Sequence, residues 1–182
     1  LILGYGVEGR SVHRWLKKFY PRLKIGIADQ KLQNRRLLVS FNQETPGQLQ
    51  PGDSWLSYDT IVKSPGVPAD SPTLIAAKDT GKHITSATNI FLSVCPGKVI
   101  AVSGTKGKST TASLIAKILS EKYPDVRLVG NIGNPALDYL AGADQNTLFV
   151  IELSSYQLED IRYRPQIAVI LDLVPEHLDR YR

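Results

Sequence analysis

Short apolar runs alternate with longer amphipathic stretches along this chain, and this alternation restricts the fold more than any other feature. Between the first two runs, Val12, Leu16 and Phe19 recur at the spacing of one helix face. Strands that alternate with helices form parallel sheets with helical crossovers, which predicts the α/β class. The predicted strands are Leu1–Leu3, Lys24–Ala28, Thr60–Lys63, His83–Thr85, Val99–Val102, Val126–Val129, Leu148–Ile151 and Ile167–Leu171.

The chain is expected to form two domains. After the strand His83–Thr85, the pattern restarts near Cys95-Pro96-Gly97, where proline and glycine interrupt regular structure. We therefore assign residues 1–92 to one α/β domain and residues 93–182 to a second.

The strongest local motif is Gly104-Thr105-Lys106-Gly107-Lys108-Ser109-Thr110, which lies between a predicted strand and a predicted helix. Glycines let several backbone N–H groups point at one phosphate, and the helix N-terminus adds the positive end of its dipole. In such a loop, Lys108 would reach the terminal phosphates of a nucleotide, and the Ser109 hydroxyl would join a Mg²⁺ shell. The motif predicts a phosphate-binding loop, although Val102 stands where the general G-x-x-x-x-G-K-[ST] pattern has its first glycine.

A first glycine loop, Gly4-Tyr5-Gly6-Val7-Glu8-Gly9, matches G-x-G-x-x-G at the start of a predicted helix. Asp29 follows the second predicted strand, where dinucleotide-binding proteins keep an acidic ribose ligand. The pattern indicates a nucleotide-like ligand without specifying which one. The alternative is tight helix–strand packing, with Asp29 as a loop or helix-capping residue.

Two further polar residues follow predicted strands of the second half. Glu152 ends the strand Leu148–Ile151, and His177 follows the strand Ile167–Leu171. Both would lie at the carboxyl edge of the sheet, where open α/β sheets bind ligands, and a carboxylate there suits Mg²⁺. The alternative is a helix-capping acid and a surface histidine. His13, beside the apolar face of the first helix, is expected to face solvent.

Composition and charge argue against several classes of protein. The formal net charge of +5 is spread along the chain without dense basic runs, which argues against nucleic-acid binding. The single cysteine, Cys95, excludes an intrachain disulfide and fits a reducing cytoplasm. No apolar run approaches the ~20 residues of a membrane span, and no signal peptide is visible. The chain starts at Leu1 without Met and stops at Arg182, so we expect both ends to lie within a longer protein.

Four motifs in order resemble the Mur ligase superfamily across essentially the whole chain. They are G-T-K-G-K-S-T, the segment from Gly130 to Leu137, the string E-L-S-S-Y-Q-L-E from Glu152 to Glu159, and E-H-L-D-R-Y from Glu176 to Tyr181. The turn Ser64-Pro65-Gly66-Val67 also resembles that family's S-P-G-[IV]. The E-L-S-S-Y-Q-L-E string and the first glycine loop are most similar to the branch that adds D-glutamate. Lys106 and Asp172 depart from the family, which more often has Asn at both positions.

The resemblance implies a Rossmann-like domain over residues 1–92 for a UDP-linked substrate, and the first part of a P-loop-type ATPase domain over 93–182. It implies an ATP-dependent ligase that joins D-glutamate to UDP-N-acetylmuramoyl-L-alanine through an acyl phosphate, in peptidoglycan precursor synthesis. A cytoplasmic monomer without nucleic-acid partners is expected. The family's carbamylated lysine and amino-acid-binding domain would lie beyond Arg182, so these residues alone are expected to be inactive.

The resemblance also implies roles at matching positions. Lys108, Glu152 and His177 would be catalytic, and Gly104 to Thr110 would hold the ATP phosphates. Ser109 and Glu152 would bind one Mg²⁺ and His177 a second. The residues implied around the UDP-linked substrate are Gly6, Val7, Glu8, Asp29, Gln30, Gly66, Asn131 and Gln157.

Three other hypotheses stay open on the sequence. One is a sister Mur-type or folylpolyglutamate-type ligase, which the E-L-S-S-Y-Q-L-E string disfavours. Another is a non-catalytic nucleotide-binding module. The third, an NAD(P)-dependent oxidoreductase, rests on the first glycine loop and leaves the second loop, Glu152 and His177 unexplained.

Overall fold

A computed structural model describes residues 1–29 and 57–176, and it divides into two compact units, Leu1–Ala87 and Thr88–Arg182. Each unit holds a four-stranded, all-parallel sheet. The predicted α/β class is therefore confirmed. Two residues that were predicted to belong to binding sites, Gln30 and His177, lie outside the described residues. None of the helices in the described ranges is long and apolar enough to cross a membrane.

The first unit has strand order β2-β1-β3-β4. The chain passes from β1 to β2 on one side of it and then returns to β3 on the other side. The strand order therefore reverses between β1 and β3. In open α/β sheets this is the point where ligands bind. The elements are β1 (Ile2–Leu3), α1 (Val7–Phe19), β2 (Ile27–Ala28), β3 (Thr60–Lys63), α2 (Pro72–Asp79) and β4 (His83–Ser86).

The second unit has strand order β6-β7-β5-β8. The central strand β5 pairs with β7 through Val102 and Glu152, and with β8 through Ser103 and Ile170. All four carboxyl ends therefore lie at one edge of the sheet. The elements are α3 (Ala87–Val94), β5 (Lys98–Ser103), α4 (Lys108–Ser120), β6 (Val126–Gly130), β7 (Leu148–Glu152), α5 (Ser155–Leu158) and β8 (Ile167–Ile170).

Helices cover both faces of this second sheet. On one face, Ala112 of α4 packs against Val102 and Val150, which alternate with residues of the opposite face. On the other face, Phe91 of α3 meets Phe149 edge to face, with ring centroids 5.1 Å apart. Both phenylalanines are fully buried. Such aromatic pairs contribute about 0.5–1.5 kcal/mol beyond the area that they bury.

Helix α3 explains why the division lies at residues 87 and 88, whereas the sequence analysis placed the boundary between 92 and 93. The side chain of Asn89 donates to the carbonyl of Asp160 at 2.9 Å and accepts from the N–H of Arg162 at 2.8 Å. With Phe91 against Phe149, these contacts attach α3 to the second sheet. No helix was predicted here from the sequence.

The connection between β6 and β7 also differs from the prediction of a helical crossover. It contains a 3₁₀ turn, Ala136–Tyr139, and Gly133 and Gly142 have positive φ angles of 97° and 69° on either side of it.

The start of β6 is fixed by Arg127, which donates two hydrogen bonds to the Asp125 carboxylate, both 2.8 Å long. This bidentate bond, together with one from the Thr147 hydroxyl, lowers the pKa of Asp125.

Ser103 provides a stability test of how the carboxyl edge is held together. Its buried hydroxyl donates to the carbonyl of Leu153 at 2.9 Å, which ties the end of β5 to the residue after β7. We expect Ser103→Ala to lower the free energy of unfolding by about 1 kcal/mol. Ser93 is the matched control, since its exposed hydroxyl bonds only to Ile90 of its own helix. Urea denaturation, monitored by circular dichroism, gives the free energy of unfolding of each variant. Equal decreases in Ser103→Ala and Ser93→Ala would contradict this role of Ser103.

Candidate phosphate-binding site

The loop between β5 and α4 has the backbone form that a phosphate-binding loop needs. Gly104 has φ 138° and Gly107 has φ 79°, conformations that residues with a Cβ atom rarely adopt. Gly107 is the N-cap of α4, and no side chain caps this helix start. The first N–H groups of α4 have no partner within the helix, so they are available to an anion.

Gly104 has a second requirement, which is close packing. A Cβ atom at this position would lie 2.7 Å from the Leu171 Cβ and 3.1 Å from Leu171 backbone atoms. The loop is also bonded to the chain that leaves β8, since the N–H of Thr105 donates to the Asp172 carbonyl at 2.9 Å. The Thr105 hydroxyl donates to the carbonyl of Val174 and accepts from its N–H. The segment that precedes His177 is thus fixed against the loop.

Lys108 holds its ammonium group over the loop. Its Nζ donates to the carbonyls of Gly104 and Thr105, both at 2.8 Å. These bonds keep a positive charge beside the N-terminus of α4, whose own dipole is positive there. Lys106, Ser109 and Thr110 are exposed on the same loop and helix start. The predicted contacts of Lys108 with nucleotide phosphates and of Ser109 with Mg²⁺ stay predictions.

Glu152 ends β7 directly beside this loop, and it is 2% exposed. Its Oε1 accepts from the Asn131 side chain at 2.9 Å. Its Oε2 is buried and has no hydrogen-bond partner among the described residues. A buried carboxylate oxygen without a partner is costly, and a hard cation such as Mg²⁺ would satisfy it.

Gly130 makes the contact between Asn131 and Glu152 possible. It has φ 98°, and a Cβ atom there would lie 2.3 Å from the Glu152 carbonyl oxygen. Because the backbones approach so closely, the N–H of Asn131 donates to that carbonyl at 2.9 Å while its side chain reaches the carboxylate. Asn131, assigned by resemblance to substrate contact, therefore orients Glu152 in the structure.

Gln157, the other residue assigned to the muramoyl substrate, is buried and forms a capping box with Ser154 at the start of α5. Its side-chain oxygen accepts from the N–H of Ser154 at 2.9 Å, and its own N–H donates to the Ser154 hydroxyl at 3.3 Å. The structure thus gives Gln157 a local structural role, and the substrate contact stays a prediction.

The first glycine loop lies at the β1–β3 crevice of the first unit. Gly4 has φ 89°, its carbonyl accepts from the Ser64 hydroxyl at 2.7 Å, and a Cβ on Gly9 would lie 2.1 Å from that carbonyl oxygen. The N–H of Tyr5 donates to the Asp29 carboxylate at 2.6 Å. Asp29 therefore fixes the loop, which is the packing alternative of the sequence analysis, and its ribose contact stays a prediction.

Gly6, Val7, Glu8 and Gly66, which were also assigned to the UDP-linked substrate, lie in the described part of the first unit. Gly6 is the N-cap of α1 without a side-chain cap, and Val7 and Glu8 open the helix, with Val7 exposed. A Cβ at Gly6 or at Gly66 would meet nothing within 4 Å. Neither glycine is therefore required by packing within the described chain.

The expectation that His13 faces solvent is wrong. His13 is 7% exposed, and its Nδ1 lies 2.7 Å from the Tyr5 hydroxyl. Burial, together with Lys17 and Arg14, lowers the pKa of His13. The sequence held a signal for this, because Gly9 must face the loop and His13 follows it by four residues, on the same face of the helix.

Within the described ranges, no group of three or more His, Cys, Asp or Glu side chains converges as a metal cluster. Of the predicted metal ligands, Ser109 and Glu152 lie at the same loop-side edge of the sheet, and His177 is beyond the described residues. A strand, a glycine loop with a lysine, a helix start and a buried carboxylate on the adjacent strand together form the arrangement that is typical of α/β proteins that bind phosphate groups.

Comparisons with known proteins specify the family. Residues 102–182 match the Mur ligase middle domain. The chain is 35% identical to the UDP-N-acetylmuramoylalanine–D-glutamate ligase of Koribacter versatilis and 33% identical to that of Caldicellulosiruptor bescii, with all of this chain aligned. It spans 41% of the length of each. The chain is therefore similar to Mur ligases over its whole length, and its second half matches their middle domain.

A solved structure supports the fold. UDP-N-acetylmuramate:L-alanyl-gamma-D-glutamyl-meso-diaminopimelate ligase from Neisseria meningitides aligns with the whole chain at a TM-score of 0.52 and 19% identity, over 62% of its own length.

The two loop glycines give a prediction about strain and packing. We expect Gly107→Ala to lower the free energy of unfolding by about 1–2 kcal/mol, the cost of a left-handed residue with a Cβ. Gly104→Ala should cost more, because its Cβ would also collide with Leu171, whereas that of Gly107 would lie 3.6 Å from Leu171 Cδ1. Thermal and urea unfolding measure both. A smaller loss for Gly104→Ala would contradict the packing of the loop against β8.

Proposed function

We propose that this chain is the nucleotide-binding part of a ligase that joins D-glutamate to UDP-N-acetylmuramoyl-L-alanine with the energy of ATP. One observation carries the proposal. The phosphate-binding loop holds the ammonium group of Lys108, and the adjacent strand ends in Glu152, a buried carboxylate with one oxygen that has no hydrogen-bond partner among the described residues. The names of the relatives aligned over the whole chain support the choice of substrates.

In the proposed reaction, the carboxylate of UDP-N-acetylmuramoyl-L-alanine attacks the γ-phosphate of ATP and forms an acyl phosphate and ADP. The amine of D-glutamate then attacks the activated carbonyl, forms the amide bond and releases phosphate. Both reactants of the first step are anions, so the protein must supply positive charge and hold the reacting atoms in line.

Lys108 would supply part of that charge. Its two bonds to the carbonyls of Gly104 and Thr105 hold the ammonium group against the loop. A phosphate oxygen at this position could replace either carbonyl, and the ammonium group would then bond to a charged acceptor instead of a neutral one. The exposed Lys106 and the hydroxyls of Ser109 and Thr110 lie on the same loop and would complete the binding of the phosphate chain.

Glu152 would hold Mg²⁺ together with the Ser109 hydroxyl. Asn131 occupies Oε1, so the carboxylate is presented to a cation through Oε2. When bound, Mg²⁺ neutralises charge on phosphate oxygens. His177 is proposed as a ligand of a second Mg²⁺, because the segment before it is bonded to the loop through Thr105.

The first unit is proposed to bind the UDP end of the muramoyl substrate at the helix start of Gly6, Val7 and Glu8. Asp29, Gln30 and Gly66 would surround the nucleotide, and Asn131 and Gln157 of the second unit would contact the muramoyl part. Because the chain spans 41% of its relatives' length, the complete reaction is proposed for the whole protein. We further propose that this protein is a cytoplasmic monomer.

Lys108 gives the first test of this function. We expect Lys108→Ala to weaken MgATP binding at least tenfold, because it removes a charge-assisted contact of ~1.5–3 kcal/mol. Lys117→Ala is the matched control, since Lys117 is an exposed lysine in the last turn of the same helix. Isothermal titration calorimetry measures both affinities. Equal affinity for MgATP in Lys108→Ala and the unaltered chain would refute the assignment of the loop.

The first unit separates the ligase from the oxidoreductase hypothesis. We expect UDP to raise the melting temperature of the chain, whereas NAD and NADP leave it unchanged. A ligand stabilises the native state by RT ln(1 + [L]/Kd), so saturating ligand at one hundred times its Kd would add about 2.7 kcal/mol. Differential scanning fluorimetry with each nucleotide provides the comparison. A shift with NAD but none with UDP would favour the oxidoreductase.

A further inference from the structure

Tyr5 connects the first glycine loop to two other elements. Its N–H donates to Asp29 Oδ2 at the end of β2, at 2.6 Å. Its carbonyl accepts from the Arg10 side chain at 3.3 Å, and its hydroxyl shares a hydrogen bond with His13 Nδ1 at 2.7 Å. Arg10 and His13 belong to α1. Backbone and side chain of one residue thus tie the loop to a strand and a helix.

These contacts fix two consecutive peptide groups. The Gly4–Tyr5 peptide is held at both ends, by the Ser64 hydroxyl on its carbonyl and by Asp29 on its N–H. The next peptide is held through the Tyr5 carbonyl. Because a peptide group is planar, the position of that carbonyl also determines the direction of the Gly6 N–H. Gly6 is the N-cap of α1, where backbone N–H groups have no partner in the helix.

The hydroxyl bond to His13 is the contact that a side-chain substitution can remove. The ring centroids of Tyr5 and His13 lie 5.8 Å apart, and His13 is buried. Burial raises the pKa of Tyr5 and lowers that of His13, so the pair is a neutral phenol and a neutral imidazole at pH 7. The hydroxyl donates to Nδ1 when that nitrogen carries no proton and accepts from it when it does, so the bond forms with either tautomer of His13.

We propose that Tyr5 is a positioning residue whose bond to His13 holds the first glycine loop in the shape that receives a nucleoside diphosphate. The inference rests on the proposed function of this loop as the UDP site. A loop already fixed before binding loses little conformational freedom when the ligand arrives. Without the hydroxyl bond, the contacts with Asp29, Ser64 and Arg10 remain, but the loop loses its side-chain tie to α1. Part of the ordering then falls to the ligand, and this cost weakens the measured affinity.

The test compares UDP affinity by calorimetry in four variants of the full chain. Tyr5→Phe removes the hydroxyl but keeps the ring, and His13→Leu removes its partner. Each should weaken UDP binding about three- to tenfold, the range that matches one net hydrogen bond. The double variant should lose no more than either single variant, because both changes break the same bond. His13→Gln, whose amide can still bond the hydroxyl, should recover part of the loss.

Tyr20→Phe is the matched control, since Tyr20 is an exposed tyrosine at the C-terminal end of α1. It should bind UDP as the unaltered chain does. MgATP affinity in the second unit should be the same in all variants, and circular dichroism melting without ligand shows that the first unit is folded. If Tyr5→Phe does not fold, the UDP affinities of His13→Leu and His13→Gln are compared instead, since only the second variant keeps a partner for the Tyr5 hydroxyl.

The outcomes separate this inference from the proposed function. UDP binding that is unchanged in folded Tyr5→Phe or His13→Leu would overturn the positioning role while leaving the UDP site intact. Losses that add in the double variant would also overturn it, since the two residues would then act independently. Failure of the unaltered chain to bind UDP would remove the proposed function of the loop, and with it this inference.

Discussion

The parallel register around Glu152 is the constraint on which the second unit depends. Val102 of β5 and Gly130 of β6 both pair with Glu152, so three strands end at the same level. The phosphate-binding loop, the carboxylate and Asn131 therefore meet, although they are far apart in sequence. Ser103 and Gly130 maintain this level, one through a buried hydrogen bond and the other through the absence of a side chain.

The two units support their glycine loops in the same physical way. In each, the loop packs against the residue that leaves a neighbouring parallel strand: Gly4 against Ser64 after β3, and Gly104 against Leu171 after β8. In both places a Cβ atom would collide with that neighbour, and the backbone has a positive φ. Packing and backbone conformation therefore both require glycine at Gly4 and at Gly104.

The strands and both loops could be predicted from the sequence because their signals are local. Apolar runs and glycine spacing depend on residues within one element, and the predicted strands Thr60–Lys63 and Val126–Val129 agree with the observed ones to within one residue. Helix α3 was missed because its assignment depends on contacts with Phe149 and Asp160, far along the chain. The burial of His13 likewise required a partner in another element.

The roles of the candidate site residues stay predictions, but their placement can be compared with the structure. The resemblance assigned related roles to Lys108 and Glu152, and the parallel register of β5 and β7 explains why both follow the carboxyl edge of the sheet. It gave no indication that Asn131 would orient Glu152 or that Gln157 would cap α5. Those roles follow from side-chain hydrogen bonds: that of Asn131 accompanies the positive φ of Gly130, and that of Gln157 belongs to the capping box with Ser154.

The dependence of ATP binding on Mg²⁺ tests the central claim most directly, namely that Glu152 presents a carboxylate oxygen to a cation beside the phosphate-binding loop. Calorimetry should show that Mg²⁺ strengthens ATP binding to the unaltered chain and to Glu121→Gln, which alters an exposed glutamate at the end of α4. In Glu152→Gln, the same titration should show ATP binding without this enhancement. Enhancement by Mg²⁺ that persists in Glu152→Gln would contradict the account.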